Sequence, residues 1–476
     1  MMNTKFLNIN STKLWYSIIL VICIIPTYFI HSQKYPDWGD DFAQYIYQSQ
    51  QIHSSSDTYK QVLNVEEYSS AKRSVFFSVI LSTVTPTVLI QNYIDVISIT
   101  YIIAALCFFI FLSSQVSLPI SFMVTLSVFY NFLFLRLKSE VVPEFVFIAL
   151  FFSILYLTTI SKKWIKYLIP CLLGLLVSVR FVGFSLVLTY VCFLIFENDK
   201  TVKEKIKNVC VSLSLTLIIV ILVNTCFLNS IHNQEIKLYS SIVSNGYSFN
   251  TIVENSKMYS RYLTLFFEQE IPYWINTIIT WFAFTFFLIG FLFSFAKRRD
   301  VFHLAFIFYF LFLFVYPYNA DTIKYLIPIV PLLFYFMIIG LKLMSDKINF
   351  KHREMYIAAC FGIVFLSNSK TIYLTMKYVD TNIGPYETTV LQDFEKIKTK
   401  VKPHENIAFG KPYIINLLAD RDAYFLSQKN YKQVLQKTNF VLLAKQNVNE
   451  LYPKTIGIEM SRGDTTELNH FYLIKL

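Results

Sequence analysis

Trp38-Gly39-Asp40-Asp41-Phe42-Ala43-Gln44-Tyr45-Ile46 places two adjacent carboxylates just beyond Leu14–Ile30, an apolar run long enough to cross a bilayer. Most of the chain downstream of this stretch is soluble in hydrocarbon. Of the 476 residues, 55% are apolar, 18% aromatic and only 15% charged, whereas a soluble domain is about a quarter charged. Apolar runs of ~18 residues or more recur, so the chain reads as a polytopic α-helical membrane protein. The net charge of +11 does not point to nucleic acid, because the basic residues cluster in short segments between apolar runs, as topology determinants do. All seven cysteines lie inside apolar runs and the histidines are scattered, so neither a disulfide framework nor a zinc site is expected. Lys5 and Lys13 ahead of the first run give it the look of a signal peptide. No small-residue cleavage site comes after it, so an uncleaved anchor is expected.

The spans read as about 14–30, 93–113, 117–135, 141–160, 167–179, 181–196, 206–228, 272–296, 301–317, 322–344 and 355–374. Residues 75–90 are apolar but short and interrupted by Thr85-Pro86-Thr87. The basic connectors are Lys162-Lys163/Lys166, Lys200/Lys203/Lys205/Lys207, Lys297-Arg298-Arg299 and Lys347/Lys351/Arg353. With a cytoplasmic N-terminus, all four fall inside if residues 75–90 do not cross and 167–196 is a hairpin turning near Ser178-Val179-Arg180. That gives about eleven spans, with the C-terminus outside the cytoplasmic (inner) membrane. The outer segments are then 31–92, with the acidic pair and a Ser54–Ser56 patch, and 229–271. Residues 1–378 form the membrane domain, and 379–476 a small extracytoplasmic α/β domain. It opens with an amphipathic helix (Val390, Leu391, Phe394, Ile397, Val401), followed by strands at Ile407–Phe409, Phe440–Leu443 and Phe471–Ile474. No internal repeat is visible.

A general base must reach an acceptor hydroxyl, and a carboxylate at the membrane surface can do so. Asp41-Phe42-Ala43-Gln44 also fits a capping box, with Asp41 as N-cap of a surface helix and Gln44 reaching back. Capping accounts for one aspartate and leaves Asp40 for chemistry or for a divalent cation. Asp37, after Pro36, reads as an ordinary turn. Leu135-Arg136-Leu137-Lys138-Ser139-Glu140-Val141-Val142-Pro143-Glu144 brings a second acidic group to the same side, with Glu140 and Glu144 four apart on one helix face. Their bland reading is a solvated lip paired with Arg136 and Lys138. Against it, Arg136 and Lys138 break the positive-inside trend, which suits anion binding. Arg180 interrupts an otherwise apolar stretch, and an intramembrane arginine is a functional-site candidate unless it snorkels to the interface. Asp321-Thr322-Ile323-Lys324-Tyr325-Leu326-Ile327-Pro328 sets Lys324 and Tyr325 at the outer end of a late span. Arg261, in the second outer segment, is a weaker candidate. There is no Gly-rich phosphate loop and no soluble-enzyme triad.

Taken together, these features resemble a family. The acidic pair after the first span, Ser139-Glu140, Gly174–Gly183 around Arg180, Lys324–Pro331 and a C-terminal outer domain occur in the order seen in the polyprenyl-phosphate-sugar glycosyltransferases of the GT-C fold. The resemblance is to the protein O-mannosyltransferase and aminoarabinose-transferase group (family 39-like), over about residues 14–345. It implies inverting transfer of a hexosyl or pentosyl group from a lipid-phosphate donor to a glycan, lipid or protein acceptor at the outer face. Asp40 or Asp41 would be the base, Glu140 would assist, and Arg180 and Lys324 would stabilise the leaving phosphate. The chain departs from that pattern in having Thr85-Pro86-Thr87 where relatives often have Pro-x-Gly, and Lys324 where an arginine is usual.

Three other classes fit the sequence less well, among them a structural membrane subunit, which leaves Asp40-Asp41 and Arg180 without a purpose. A lipid or glycan transporter would show paired halves and charges at mid-membrane. A polysaccharide polymerase or ligase would carry an Arg-rich outer loop and no α/β tail.

Overall fold

The apolar runs are helices in the computed structural model, as they must be where only intrahelical bonds can satisfy the backbone. The structure describes residues 11–31, 38–54, 62–63, 75–84, 90–197, 200–228, 249–266, 273–297, 300–315, 323–347, 352–377, 384–426, 430–445 and 464–476. Asp37, Ser55, Ser56, Thr85-Pro86-Thr87, residues 229–248, Arg298, Arg299, Asp321, Thr322, Lys351 and the side chain of Asp40 lie outside the described residues.

In chain order the helices are α1 Ser11–Ile24, α2 Asp40–Ser54, α3 Val75–Leu81, α4 Ile90–Leu112, α5 Leu118–Phe129, α6 Phe132–Lys138, α7 Glu144–Leu157, α8 Ile165–Val179, α9 Phe184–Phe196 and α10 Val202–Leu228. They continue with α11 Phe249–Leu265, α12 Tyr273–Lys297, α13 Val301–Val315, α14 Val330–Lys347, α15 Arg353–Lys377, α16 Thr388–Lys400, α17 Pro412–Ile414 and α18 Tyr431–Leu435. By length and composition four of the described helices can cross a membrane alone: Ser11–Phe29 with its 3-10 extension, Ile90–Leu112, Val202–Phe227 and Thr277–Lys297. At seven residues α3 is ~10 Å long and cannot cross, and the chain breaks between α8 and α9 at Arg180, in extended conformation.

Two expected spans are not single helices: 322–344 opens with a 3-10 turn at Ile323–Tyr325 and becomes α-helical only from Val330. Residues 117–135 divide into α5 and α6, bent by 60°. The cause is local: Asn131 turns extended, and its side chain accepts a hydrogen bond from Leu133 N at 3.0 Å, capping a new helix. The Asn131 amide then donates to Phe266 O at 3.0 Å, which fixes the break to the end of α11.

The bundle interior is aromatic. Tyr101 and Phe108 of α4 meet Phe145 and Phe152 of α7 edge-on, each at 4.9 Å between centroids. Polar ties join α5 to α15, with Ser127 Oγ donating to Phe361 O at 2.6 Å and Asn368 donating to Ser127 O at 2.8 Å. α12 and α14 approach closely because each offers a glycine: a Cβ on Gly290 would overlap the carbonyl oxygen of Phe336, and one on Gly340 that of Phe286. Gly290→Ala and Gly340→Ala are therefore expected to destabilise the protein by at least ~1–3 kcal/mol, since neither backbone can yield as a side chain would. A thermal scan in detergent checks this. Unchanged melting in both variants would mean the helices separate freely.

Beyond the bundle lies a six-stranded sheet of order β1-β3-β2-β4-β6-β5, from β1 Val62–Leu63, β2 Ile407–Phe409, β3 Ala423–Phe425, β4 Phe440–Ala444, β5 Asp464–Glu467 and β6 Phe471–Lys475. The three strands expected from sequence are β2, β4 and β6. β4 is buried along its whole length, as a strand covered on both faces must be. The expected amphipathic helix is α16, with Val390, Phe394 and Ile397 buried. Its Asp393 accepts from the backbone of Asn469 and His470 at 2.9 and 2.7 Å, pinning the β5–β6 turn. The edge strand β1 comes from the first loop and pairs parallel to β3.

α2, which carries the acidic pair, is no surface helix. Phe42, Ala43, Gln44, Tyr45, Ile46, Tyr47, Gln48 and Ser49 are all buried. Trp38 stands against Phe471 of β6 at 5.9 Å, Phe42 against Tyr386 at 6.0 Å and Tyr45 against Phe77 of α3 at 4.9 Å. The helix is held between the bundle and the sheet.

Candidate active site

The helix expected to begin with Asp41 as its cap begins one residue earlier, at Asp40, after Gly39. Both aspartates therefore lie in the first turn, where the helix dipole favours negative charge, and Asp41 is inside the helix, not the residue that precedes it. Asp41 is half-buried, and its charge acts on Lys324.

The second acidic pair is also arranged differently from the sequence pattern. Pro143 stands at the N-cap position and Glu144 is the first residue of α7, so Glu140 lies in the preceding turn. The two glutamates do not share a helix face, because proline has no N–H to offer a continuing helix and so marks its start. Nor do they pair with Arg136 and Lys138. Glu144 accepts a 2.5 Å charge-assisted hydrogen bond from Arg180 Nη2, with both side chains buried. Glu140 sits 3.5 Å from Lys324 Nζ, a pair only partly shielded from solvent.

Tyr325 completes the cluster. Its ring lies under the Arg180 guanidinium at 4.6 Å, a cation–π contact that holds the guanidinium plane. The Tyr325 carbonyl accepts from the buried Tyr309 hydroxyl at 2.8 Å. Tyr309 in turn lies in the field of Arg180, Glu144 and Tyr259. Neither Tyr309, on α13, nor Tyr259, on α11, stands out in the sequence. A hydroxyl within the apolar run Val301–Val315 is the only available signal for Tyr309.

Asp41, Glu140, Glu144, Arg180, Lys324 and Tyr325 thus gather where α2, the α6–α7 turn, the α8–α9 break and the segment before α14 meet. The other expected binding residues do not join them. Arg136 and Arg261 are exposed. Lys138 is fully buried and turns the other way, 3.4 Å from Ser98 Oγ and 3.5 Å from Tyr28 O, where its charge meets Asp95. His31 adjoins this second group. Burial, with the Lys138 ammonium nearby, holds its imidazole below the usual range and therefore neutral at pH 7.

The arrangement pairs a desolvated cation with a desolvated anion and leaves Glu144 Oε2 buried with no hydrogen-bond partner among the described residues. An orphaned buried acceptor of this kind costs ~1–3 kcal/mol and calls for a donor such as a hydroxyl. Each glutamate is already matched by its own cation, and no group of three His, Cys, Asp or Glu among the described residues could hold a metal. Asp40, the carboxylate expected to be left for chemistry or a divalent cation, has its side chain outside the described residues.

No family model and no curated protein matches the sequence. Solved structures do. ArnT from Cupriavidus metallidurans bound to undecaprenyl phosphate aligns with a TM-score of 0.57 at 10% identity, over 97% of this chain and 98% of that one. The Archaeoglobus fulgidus oligosaccharyltransferase in complex with Zn and sulfate gives 0.54 at 12% identity, over 90% and 68%. The same enzyme tethered with an acceptor peptide containing the NVT sequon gives 0.56 at 11%, over 90% and 69%. At these identities the likeness is one of fold. The chain has the GT-C membrane fold that the order of its motifs implied.

Proposed function

We propose that the protein is a glycosyltransferase that moves a sugar from a polyprenyl-phosphate donor to an acceptor hydroxyl, with inversion, at the outer face of the cytoplasmic membrane. The observation that carries this reading is the buried Arg180–Glu144 pair stacked on Tyr325, beside Lys324–Glu140 and Asp41, at one end of a GT-C bundle. Lone ion pairs serve structure. Two cations, three carboxylates and an aromatic clamp converging on one end suit a phosphate leaving group and a proton acceptor.

In the reaction, an acceptor O–H gives its proton to Asp40 or Asp41 as its oxygen attacks the anomeric carbon from the face opposite the phosphate. The bond from that carbon to the phosphate oxygen breaks, and the polyprenyl phosphate leaves with the electron pair. Charge growing on that oxygen is met by Arg180 and Lys324, whose positions are set in advance by Tyr325 and the glutamates. Glu140 and Glu144, relieved of their cations by the phosphate, become acceptors for sugar or acceptor hydroxyls. Single displacement inverts the anomeric centre.

Membranes containing the protein, supplied with polyprenyl-phosphate-linked sugar, are expected to release one polyprenyl phosphate per sugar transferred, with inverted anomeric configuration by NMR. A product of retained configuration overturns the mechanism. Topology has its own check. In a cysteine-free background, Lys60→Cys is expected to react with an impermeant maleimide added outside, and Lys200→Cys only after the membrane is opened. Labelling of position 200 from outside would reverse the orientation and put the acidic pair on the cytoplasmic face.

A further inference from the structure

At the other end of the bundle, α8, α9 and the start of α10 enclose a cavity of about 250 Å³ lined by Lys166, Tyr167, Tyr190, Lys200, Lys207 and Asn208. We propose that this cavity binds the phosphate of an anionic membrane lipid. It is separate from the candidate active site: α8 runs for 15 residues from the Lys166 end to Arg180, ~22 Å.

The cavity is set up for an anion. Its wall has three ammonium groups and one carboxylate, Glu204. That carboxylate is engaged locally: Glu204 Oε2 accepts from Thr201 N at 3.1 Å and Thr201 Oγ1 at 3.2 Å, a capping box that starts α10. Lys200 is matched by Glu197 at 2.5 Å. Lys166 and Lys207 have no carboxylate within ion-pair distance among the described residues, and Lys166 Nζ rests 5.0 Å from the Tyr167 ring. Two lysines with no carboxylate partner among the described residues thus line one concavity together with Tyr190 and Asn208. The flanks favour a lipid over free phosphate. Phe196, at the end of α9, and Ile206, in the first turns of α10, are 68% and 59% exposed, and both lie in the segments that line the cavity, as apolar surface for acyl chains. Basic pockets between membrane helices recognise anionic headgroups in this way.

The test is native mass spectrometry on the delipidated full chain in detergent, titrated with phosphatidylglycerol or phosphatidylcholine. Phosphatidylglycerol is expected to bind one site at least about tenfold more tightly than phosphatidylcholine. A Lys166→Gln/Lys200→Gln/Lys207→Gln variant should weaken it by roughly fivefold per lysine, and the corresponding triple arginine variant should keep it. If the triple glutamine variant does not accumulate, Lys207→Gln alone, at an exposed position, is expected to weaken binding by the same single step. Phosphatidylglycerol retained within twofold by the glutamine variants overturns the proposal. Inorganic phosphate is expected not to compete at equal concentration. Displacement of the lipid by it would make the ligand a soluble phosphate and overturn the lipid assignment.

Discussion

Asp40→Asn and Asp41→Asn are each expected to reduce sugar transfer, the residue that is the base by about 10²–10⁴-fold, while the protein inserts and accumulates normally. The size of the effect distinguishes chemistry from structure. An amide is the same shape as the carboxylate and keeps polar capacity at the start of α2, so the structural loss is confined to electrostatics, the dipole interaction of the first turn, ~0.3–1 kcal/mol, and for Asp41 its charge on Lys324. α2 is fixed by Trp38, Phe42 and Tyr45, none of which the substitution touches. A base that can no longer accept a proton loses its whole contribution. Measured on membranes with lipid-linked donor, the variant with the larger loss identifies the base, and full activity in both would sink the mechanism.

The second large effect lies at Arg180. Arg180→Ala strands Glu144 as a buried, unpaired carboxylate, and breaking such a pair costs ~3–5 kcal/mol, enough to lower accumulation on its own. Activity lost in that variant is therefore ambiguous. Arg180→Met with Glu144→Leu resolves it, because replacing both members of a buried ion pair by apolar side chains is often neutral or stabilising. This double variant is expected to accumulate and melt as the parent does, yet to transfer sugar about 10²–10³-fold more slowly, the usual cost of removing one preorganised donor to a developing oxyanion. Parental turnover in the double variant would make the pair a structural strut.

Much of the fold was legible because hydrocarbon imposes a simple grammar. Apolar length marks helices, the shortness of the apolar run at 75–90 agrees with the seven residues of α3, and the charge at Arg180 agrees with the break there. Arg180 and Lys324 could be read as functional because a charge among apolar residues needs a partner. Which partner could not be read. Glu144 lies 36 positions from Arg180, and nothing local in Leu135–Glu144 prefers Arg180 to Arg136. Lys138 was misleading for the same reason: sequence gives its depth but not its direction. The bend at Asn131 had a signal, an N-cap residue inside an apolar run, that hydropathy alone overrides. The burial of α2 had none, because part of its cover, Tyr386 among it, lies in the last hundred residues.

That dependence on distant sequence has a consequence in time. Val62 and Leu63 pair with Ala423 and Tyr424, and Trp38 packs on Phe471. The partner strand emerges about 360 residues after β1, roughly 20 to 70 seconds later at typical rates of synthesis. Throughout that interval the bundle can assemble in the bilayer while the acidic helix lacks half of its seat. The nascent chain therefore carries its acidic helix without Tyr386 and Phe471 until it is nearly finished, and a ribosome that stalls before the final strand leaves the approach to that helix uncovered.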